Sequence, residues 1–333
     1  MKRLIAEFEE QSFTQIIFPH ENTDWDCCLE EARDNFVNII NTIIKYQKCL
    51  VVCKNIDEAK KYFESNKNLY FVEYETNDCW ARDTSVLCVE TDADIELLDF
   101  TFTGWGGKFE ADKDNQMSKN ISQYYSKDMK TIDFILEGGG VESNGVDTIL
   151  TTSECMLNKN RNSSLDAIET TQKLNTEFGA TKIHYLNHGY LAGDDTDSHI
   201  DTLARFVDEK TIMYVQPPKD EKDEHFEELN KMQDELKIIA SENDYSLITL
   251  PFCDAVYFED ERLPATYANF LFVNGAVLVP TYGVKQDSDA LKIFEDFFID
   301  RDVIGVECST LIKQHGSLHC VTMNFAKGVD IIL

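Results

Sequence analysis

No run of about 18 apolar residues occurs in this sequence of 333, so no helix is expected to span a membrane. Proline is scarce, with six residues, and no low-complexity tract interrupts the chain, which argues against a disordered linker. Basic residues number 31 against 61 acidic ones, and the resulting net charge of −30 argues against nucleic acid or an anionic membrane as a partner. There is no Cys-x-x-Cys pair, and the seven histidines do not fall at ligand spacing, so no metal site is expected. The opening residues turn acidic before any apolar stretch of signal-peptide length. A soluble, cytoplasmic protein with all ten cysteines reduced is therefore expected.

What the chain does have is core. Hydrophobic residues make up 43%, including 21 Phe and 13 Tyr, enough to bury a large interior. Their periodicity repeats one phrase: strand, helix, strand, then a further strand. Leu29, Ala32, Phe36, Ile40 and Ile43 mark a helix over 26–46 between strands at 16–18 and 49–53. Similar phrases predict helices over 116–126, 164–178, 223–243 and 287–298. Gly179 sits where a C-terminal stop belongs. The chain reads as one domain of five units, about 1–92, 93–146, 147–209, 210–274 and 275–333. Such units suggest a radial arrangement with equivalent strands lining an axis.

The reactive side chains fall at equivalent places in this pattern. Asp83 opens the last strand of the first unit (83–90), and Glu137 lies at the corresponding place in the second. His199 and Asp201 share a face of a strand over 198–207, with Ile200 turned into the core. Cys320 lies on a strand over 317–323, where His319 points the other way and is not expected to partner it. The fourth unit offers only Tyr267 and Asn269 there. Ring closure would gather these groups at one mouth.

Four stretches carry the chemistry: Asn77-Asp78-Cys79-Trp80-Ala81-Arg82-Asp83, Glu137-Gly138-Gly139-Gly140, Asp194 to Asp201, and Gly316 to Cys320. With Trp105-Gly106-Gly107-Lys108, the Asn-x-Asn-Arg-Asn of 158–162 and Leu263 to Phe270, the chain resembles the agmatine deiminase and bacterial-type peptidylarginine deiminase family. The resemblance runs from about residue 6 to residue 323. It implies a five-bladed α/β propeller, the pentein fold, with no metal or organic cofactor. One departure is Phe18 before Pro19, where that family has tryptophan. This position is expected to shape the amine end of a substrate.

Residue chemistry points the same way. A guanidinium is a planar cation with a fixed fork of donors, which paired carboxylates such as Asp83 and Asp201 accept edge-on. Cys320 as thiolate would attack its carbon. His199 would protonate the leaving ammonia and then deprotonate water, with Glu137 orienting it. The resemblance assigns these same roles to the same positions.

Trp80 or Trp105 would wall the cationic tail. Arg82, Arg161 and Arg205 lie in stretches that look structural, which leaves no arginine free to clamp an α-carboxylate. The expected activity is hydrolysis of agmatine to N-carbamoylputrescine and ammonia, a step toward putrescine. The alternatives are a deiminase of peptidyl-arginine or another guanidine, and a non-catalytic protein that binds cationic ligands. The sequence leaves open homo-oligomerisation and the roles of Asp194, Asp195 and Asp197.

Overall fold

Segments such as Lys48–Cys53 and Thr211–Val215 are apolar on both faces and almost wholly buried. Parallel strands covered on both sides require this. The computed structural model describes residues 2–333 and sorts its strands into five sheets of three or four strands and one hairpin. All five sheets share a pattern: a leading strand runs antiparallel to a second, which pairs in parallel with a third. The leading strands are Leu87–Thr91, Glu142–Ser143, Ala204–Asp208, Leu271–Val273 and Thr322–Ala326. The parallel pair that follows is joined by a helix in each case: Leu29–Ile43, Asp114–Ile121, Ala167–Phe178, Phe226–Asn243 and Asp287–Phe297. The last strand of the chain, Thr322–Ala326, pairs with Gln11–Ile17, so the two ends of the sequence meet in one sheet.

The helices turn one face inward. On Leu29–Ile43, Ala32, Phe36, Ile39, Ile40 and Ile43 are buried at three-and-four spacing. Ala167–Phe178 starts at a capping box between Asp166 and Glu169 and stops at Gly179, with φ of 66°. A Cβ there would lie 2.0 Å from the Lys2 carbonyl oxygen, so glycine is required by both conformation and space.

The leading strands begin later than periodicity suggests. Asp83 lies in a helical turn, Ala81–Thr84, not on a strand. His199 precedes a 3-10 turn, Ile200–Thr202, so it and Asp201 do not share the face of a strand. Cys320 precedes Thr322–Ala326. The reactive segments bond in turns and not into a ladder, as with the Thr202 N–H on the His199 carbonyl and the Thr322 N–H on the His319 carbonyl, and the Cys320 carbonyl also accepts the Arg82 N–H. Alternation of polar and apolar residues cannot separate such a turn from a strand end. The cysteines also depart from expectation. Cys27 and Cys28, already neighbours in the chain, are joined as a disulfide, while eight others are free thiols.

The leading strand runs opposite to the parallel pair, so its N-terminal end lies beside the C-terminal ends of that pair. That is the usual edge for ligand sites in α/β folds. Residues just before the five leading strands therefore converge on one side of the molecule. No helix among the described residues is long and apolar enough to cross a membrane.

Candidate active site

Three of the five converging segments, those before Leu87–Thr91, Ala204–Asp208 and Thr322–Ala326, line a cavity of about 290 Å³. Trp80, Asp83, His199, Asp201 and Cys320 all line it, together with Trp105. Glu137 stands one layer behind, on the far side of His199.

Asp83 is pinned from two sides. Its Oδ2 accepts the Trp105 indole N–H at 2.9 Å, and its Oδ1 accepts the Gly139 N–H at 2.8 Å. Gly139 explains the glycine run. A Cβ there would lie 2.6 Å from His199 Nδ1, 3.0 Å from Asp83 Oδ1 and 3.1 Å from Asp201 Oδ2. A side chain at this point would fill the space between those three groups. Gly316 plays a similar part, since a Cβ there would meet the Trp80 ring at 2.1 Å. The ring thus lies flush against the backbone leading to Cys320, with its own N–H donated to Asp78 at 2.8 Å.

Asp201 is held from behind. Its Oδ2 accepts His319 Nδ1 at 2.7 Å and the Asn269 side-chain amide at 3.3 Å, while its Oδ1 is buried without a partner. His319 does turn away from Cys320, but it belongs to the site all the same. Its Nε2 meets Glu7 at 2.5 Å, and Glu7 in turn pairs with Arg205 at 2.9 Å and Arg82 at 3.2 Å. Asn269 also reaches the thiol: the Cys320 Sγ lies 3.4 Å from its Oδ1.

His199 is presented by a strained loop. Asp197 and Ser198 adopt φ of 65° and 62°, unusual for residues with a side chain. The Asp194 carboxylate stabilises that turn by accepting the Ser198 N–H at 2.6 Å and the Thr196 hydroxyl at 2.5 Å. Asp197 is fixed by Arg161 at 2.7 Å and Lys108 at 2.8 Å. Two of the three aspartates whose role the sequence left open thus build the loop, and Asp195 lines the cavity. The imidazole sits 3.8 Å from Asp83 through Nδ1 and 3.8 Å from Glu137 through Nε2. Glu137 itself bonds directly to Arg161, at 2.7 Å.

This packing sets the protonation states. Burial opposes a charged His199, but the adjacent Asp83, then Cys155 and Glu137, hold its pKa well above the usual histidine value. Burial and the charges of Asp201 and Asp83 push the Cys320 thiol well up. Burial also lifts Asp83, with Asp201 adding repulsion. Asp201 is buried too, yet its bond to His319 keeps it below the ordinary carboxylate range. Nearer the mouth, burial and the neighbouring Asp24 raise Asp78 to about 6. The lining carries Asp24, Asp78, Asp83, Asp194, Asp195 and Asp201 and neither lysine nor arginine. Arg82, Arg161 and Arg205 are all committed to internal pairs. The arrangement can hold a cation between two carboxylates, beside a thiol and an imidazolium.

Comparison with known proteins decides the family. Residues 3–325 match the profile of the Porphyromonas-type peptidyl-arginine deiminases. The chain belongs to that family. A solved structure of a cysteine-to-serine form of agmatine deiminase from C. jejuni, with substrate bound, is 38% identical. It superposes with a TM-score of 0.94, covering 98% of this chain and 97% of that one. Agmatine deiminase of Enterococcus faecalis, solved while catalysing its reaction, is 25% identical with a TM-score of 0.90, over 98% and 96% of the two chains. A Mycoplasma capricolum protein provisionally named an agmatine deiminase is 27% identical over 95% of this chain and 93% of its own. The family is one of guanidino-modifying hydrolases in the pentein class, and this chain shares its α/β architecture.

Several residues of this site escaped sequence reading. His319 and Glu7 lie far apart in the chain, and only the meeting of Thr322–Ala326 with the N-terminal sheet joins them. Phe18 does not shape the cavity. It packs against Phe36, Tyr62 and Phe63 and borders a separate pocket.

Proposed function

We propose that this protein is an agmatine deiminase, converting agmatine and water to N-carbamoylputrescine and ammonia. The observation that carries this reading is the lining of the cavity: the Cys320 thiol and the His199 imidazole beside six carboxylates, with neither lysine nor arginine. On this reading the five sheets are the blades of a single α/β propeller domain, with the site on its axis. The enzyme acts in the cytoplasm on a step toward putrescine.

The guanidinium lies between Asp83 and the unpartnered Oδ1 of Asp201. In the free enzyme those carboxylates keep Cys320 a thiol. A bound cation offsets their charge, so substrate itself promotes loss of the thiol proton to solvent. The Cys320 thiolate then attacks the guanidinium carbon and forms a C–S bond. His199, protonated beside Asp83 and Glu137, gives its proton to the departing nitrogen, which leaves as ammonia. A thiouronium remains on Cys320. Neutral His199 takes a proton from water, whose oxygen attacks the same carbon, and the C–S bond breaks to release the urea product. That product is first formed protonated, and the thiolate regains a proton as it leaves. The positions of both carboxylates make the first step effectively unimolecular.

The far end of agmatine is an ammonium. It meets Asp195 and Asp78 and the face of Trp80. Free arginine would place an α-carboxylate in the same acidic wall with no cation to pair it, which is costly. A blocked arginine peptide avoids that penalty but gains no charge pairing. A desolvated cation–π contact worth about 1–2 kcal/mol favours agmatine over the peptide by roughly five- to thirtyfold. The test is kcat/KM for ammonia release from agmatine, L-arginine and a blocked arginine peptide. Equal or better activity on the peptide would move the substrate assignment and leave the chemistry. No release from any of the three would leave a cation-binding protein.

A further inference from the structure

The imidazole of His199 has a second side. Its Nδ1 faces Asp83, while its Nε2 points to Glu137 Oε2, 3.8 Å away. The short helix Ser153–Met156 brings the Cys155 sulfur to 4.0 Å from that same oxygen. The three donor atoms lie within 4.8 Å of one another, and all three residues are buried. His199 Nε2 and Glu137 Oε1 are buried with no hydrogen-bond partner. Unpaired buried polar atoms are costly, so two of them beside a thiol call for a physical account. One nitrogen, one oxygen and one sulfur in mutual reach match the donor preferences of a borderline-soft divalent ion. Around tetrahedral zinc such donors stand about 3.3–3.6 Å apart, so the His199 nitrogen and the Cys155 sulfur, at 3.8 Å and 4.0 Å from Glu137 Oε2, each close on that oxygen by about half an ångström.

We propose that Glu137, Cys155 and His199 form a binding site for zinc or a similar transition-metal ion, and that the ion holds the active site off. On binding, the Cys155 thiol and the Nε2 of the His199 imidazolium each release a proton to solvent, Nδ1 keeps its proton toward Asp83, and sulfur and nitrogen take metal bonds with no change of oxidation state. Arg161 also bonds to Glu137 Oε2 and holds that oxygen in reach of the other two donors, while Oε1 has no partner. The acidic mouth draws cations inward. The ion sits across His199 from Asp83 and Asp201, so the guanidinium position stays open. Occupancy therefore removes the proton shuttle and lowers kcat with KM unchanged. This consequence rests on the acid–base role proposed for His199, whereas metal binding itself does not.

The binding test uses Cys320→Ala, which removes the competing thiol. Titration with cobalt(II) is expected to produce a thiolate-to-metal absorption band. The band is lost in Cys320→Ala/Cys155→Ala, with zinc binding weakened by at least about tenfold. Cys155→Ser, which keeps the size of the side chain, is read the same way should the alanine form fail to fold. A band present in the wild type but absent from Cys320→Ala would put the metal on Cys320 and overturn the proposal. A band that survives loss of Cys155, or none in any form, would do the same. In the wild type, zinc raising KM at constant kcat would place it in the guanidinium position instead. If no guanidine is hydrolysed, the cobalt band still decides whether the site exists.

Discussion

Replacing Asp201 by asparagine tests how the substrate cation is held. The carboxylate is not free to rotate: Oδ2 receives His319 at 2.7 Å and Asn269 at 3.3 Å, while Oδ1 is buried and unpartnered. In Asp201→Asn the amide oxygen must stay on His319, or two donors would face each other. That leaves the amide nitrogen where Oδ1 stood, pointing its hydrogens at the donors of the guanidinium. The substitution removes one charge-assisted hydrogen bond, worth about 1.5–3 kcal/mol, and leaves an opposed donor pair costing about 1–3 kcal/mol more. Together these predict a loss in kcat/KM of roughly 10²- to 10⁴-fold. The assay is ammonia release at agmatine concentrations well below KM, on protein shown to be folded by circular dichroism. Efficiency within tenfold of the wild type would refute both the guanidinium position and the pinned orientation of Asp201.

Cys320→Ser is expected to abolish turnover while agmatine still binds by calorimetry; a thiouronium adduct found on another cysteine would refute that. In the free enzyme the Cys320 thiol lies well above its ordinary pKa, held up by burial and by Asp201 and Asp83. Alkylation by iodoacetamide should therefore be slow at neutral pH and climb into the alkaline range, and Asp83→Asn should shift that limb to lower pH. Fast alkylation at pH 7 with no acceleration in Asp83→Asn would contradict this. The pKa of His199 is raised in the fold, so its ion pairing contributes stability fully present below about pH 6.5, lost as pH rises through the folded value. The melting temperature of His199→Gln should accordingly fall furthest below the wild type near pH 6 and converge at alkaline pH; a gap that widens with pH would refute it. Arg161→Met would leave Glu137 a buried charge with only the more distant His199, at 3.8 Å, to pair it and should cost about 3–5 kcal/mol in urea unfolding. A cost below about 1 kcal/mol would show that Glu137 does not rely on Arg161.

Helix positions, the strands that flank them and the reactive side chains that the structure brings to one cavity could be picked out in the sequence, because each is written in local spacing. Leu29–Ile43 shows its core face at three-and-four intervals, and Lys48–Cys53 reads as a continuous apolar run. The stretches around Asp83, Glu137, His199 and Cys320 could be placed at equivalent points of a repeat. Residue order alone could not tell where their strands begin. Asp83, His199 and Cys320 sit in turns and not in ladders, and a turn and a strand end share the same alternation of polar and apolar residues.

Only the tertiary structure decided which long-range partners meet. Glu7 reaches His319 because the last strand returns to the first sheet, and that contact positions Asp201. Cys155, just ahead of the Asn-x-Asn-Arg-Asn stretch, comes beside Glu137 and His199 although no two of the three share a segment. Spacing rules for metal ligands search along the chain, so a site assembled from three segments escapes them. Local chemistry depends on neighbours in sequence and was fixed there. Electrostatics in a buried site depends on which distant charges share the same low-dielectric space, and folding alone settles that.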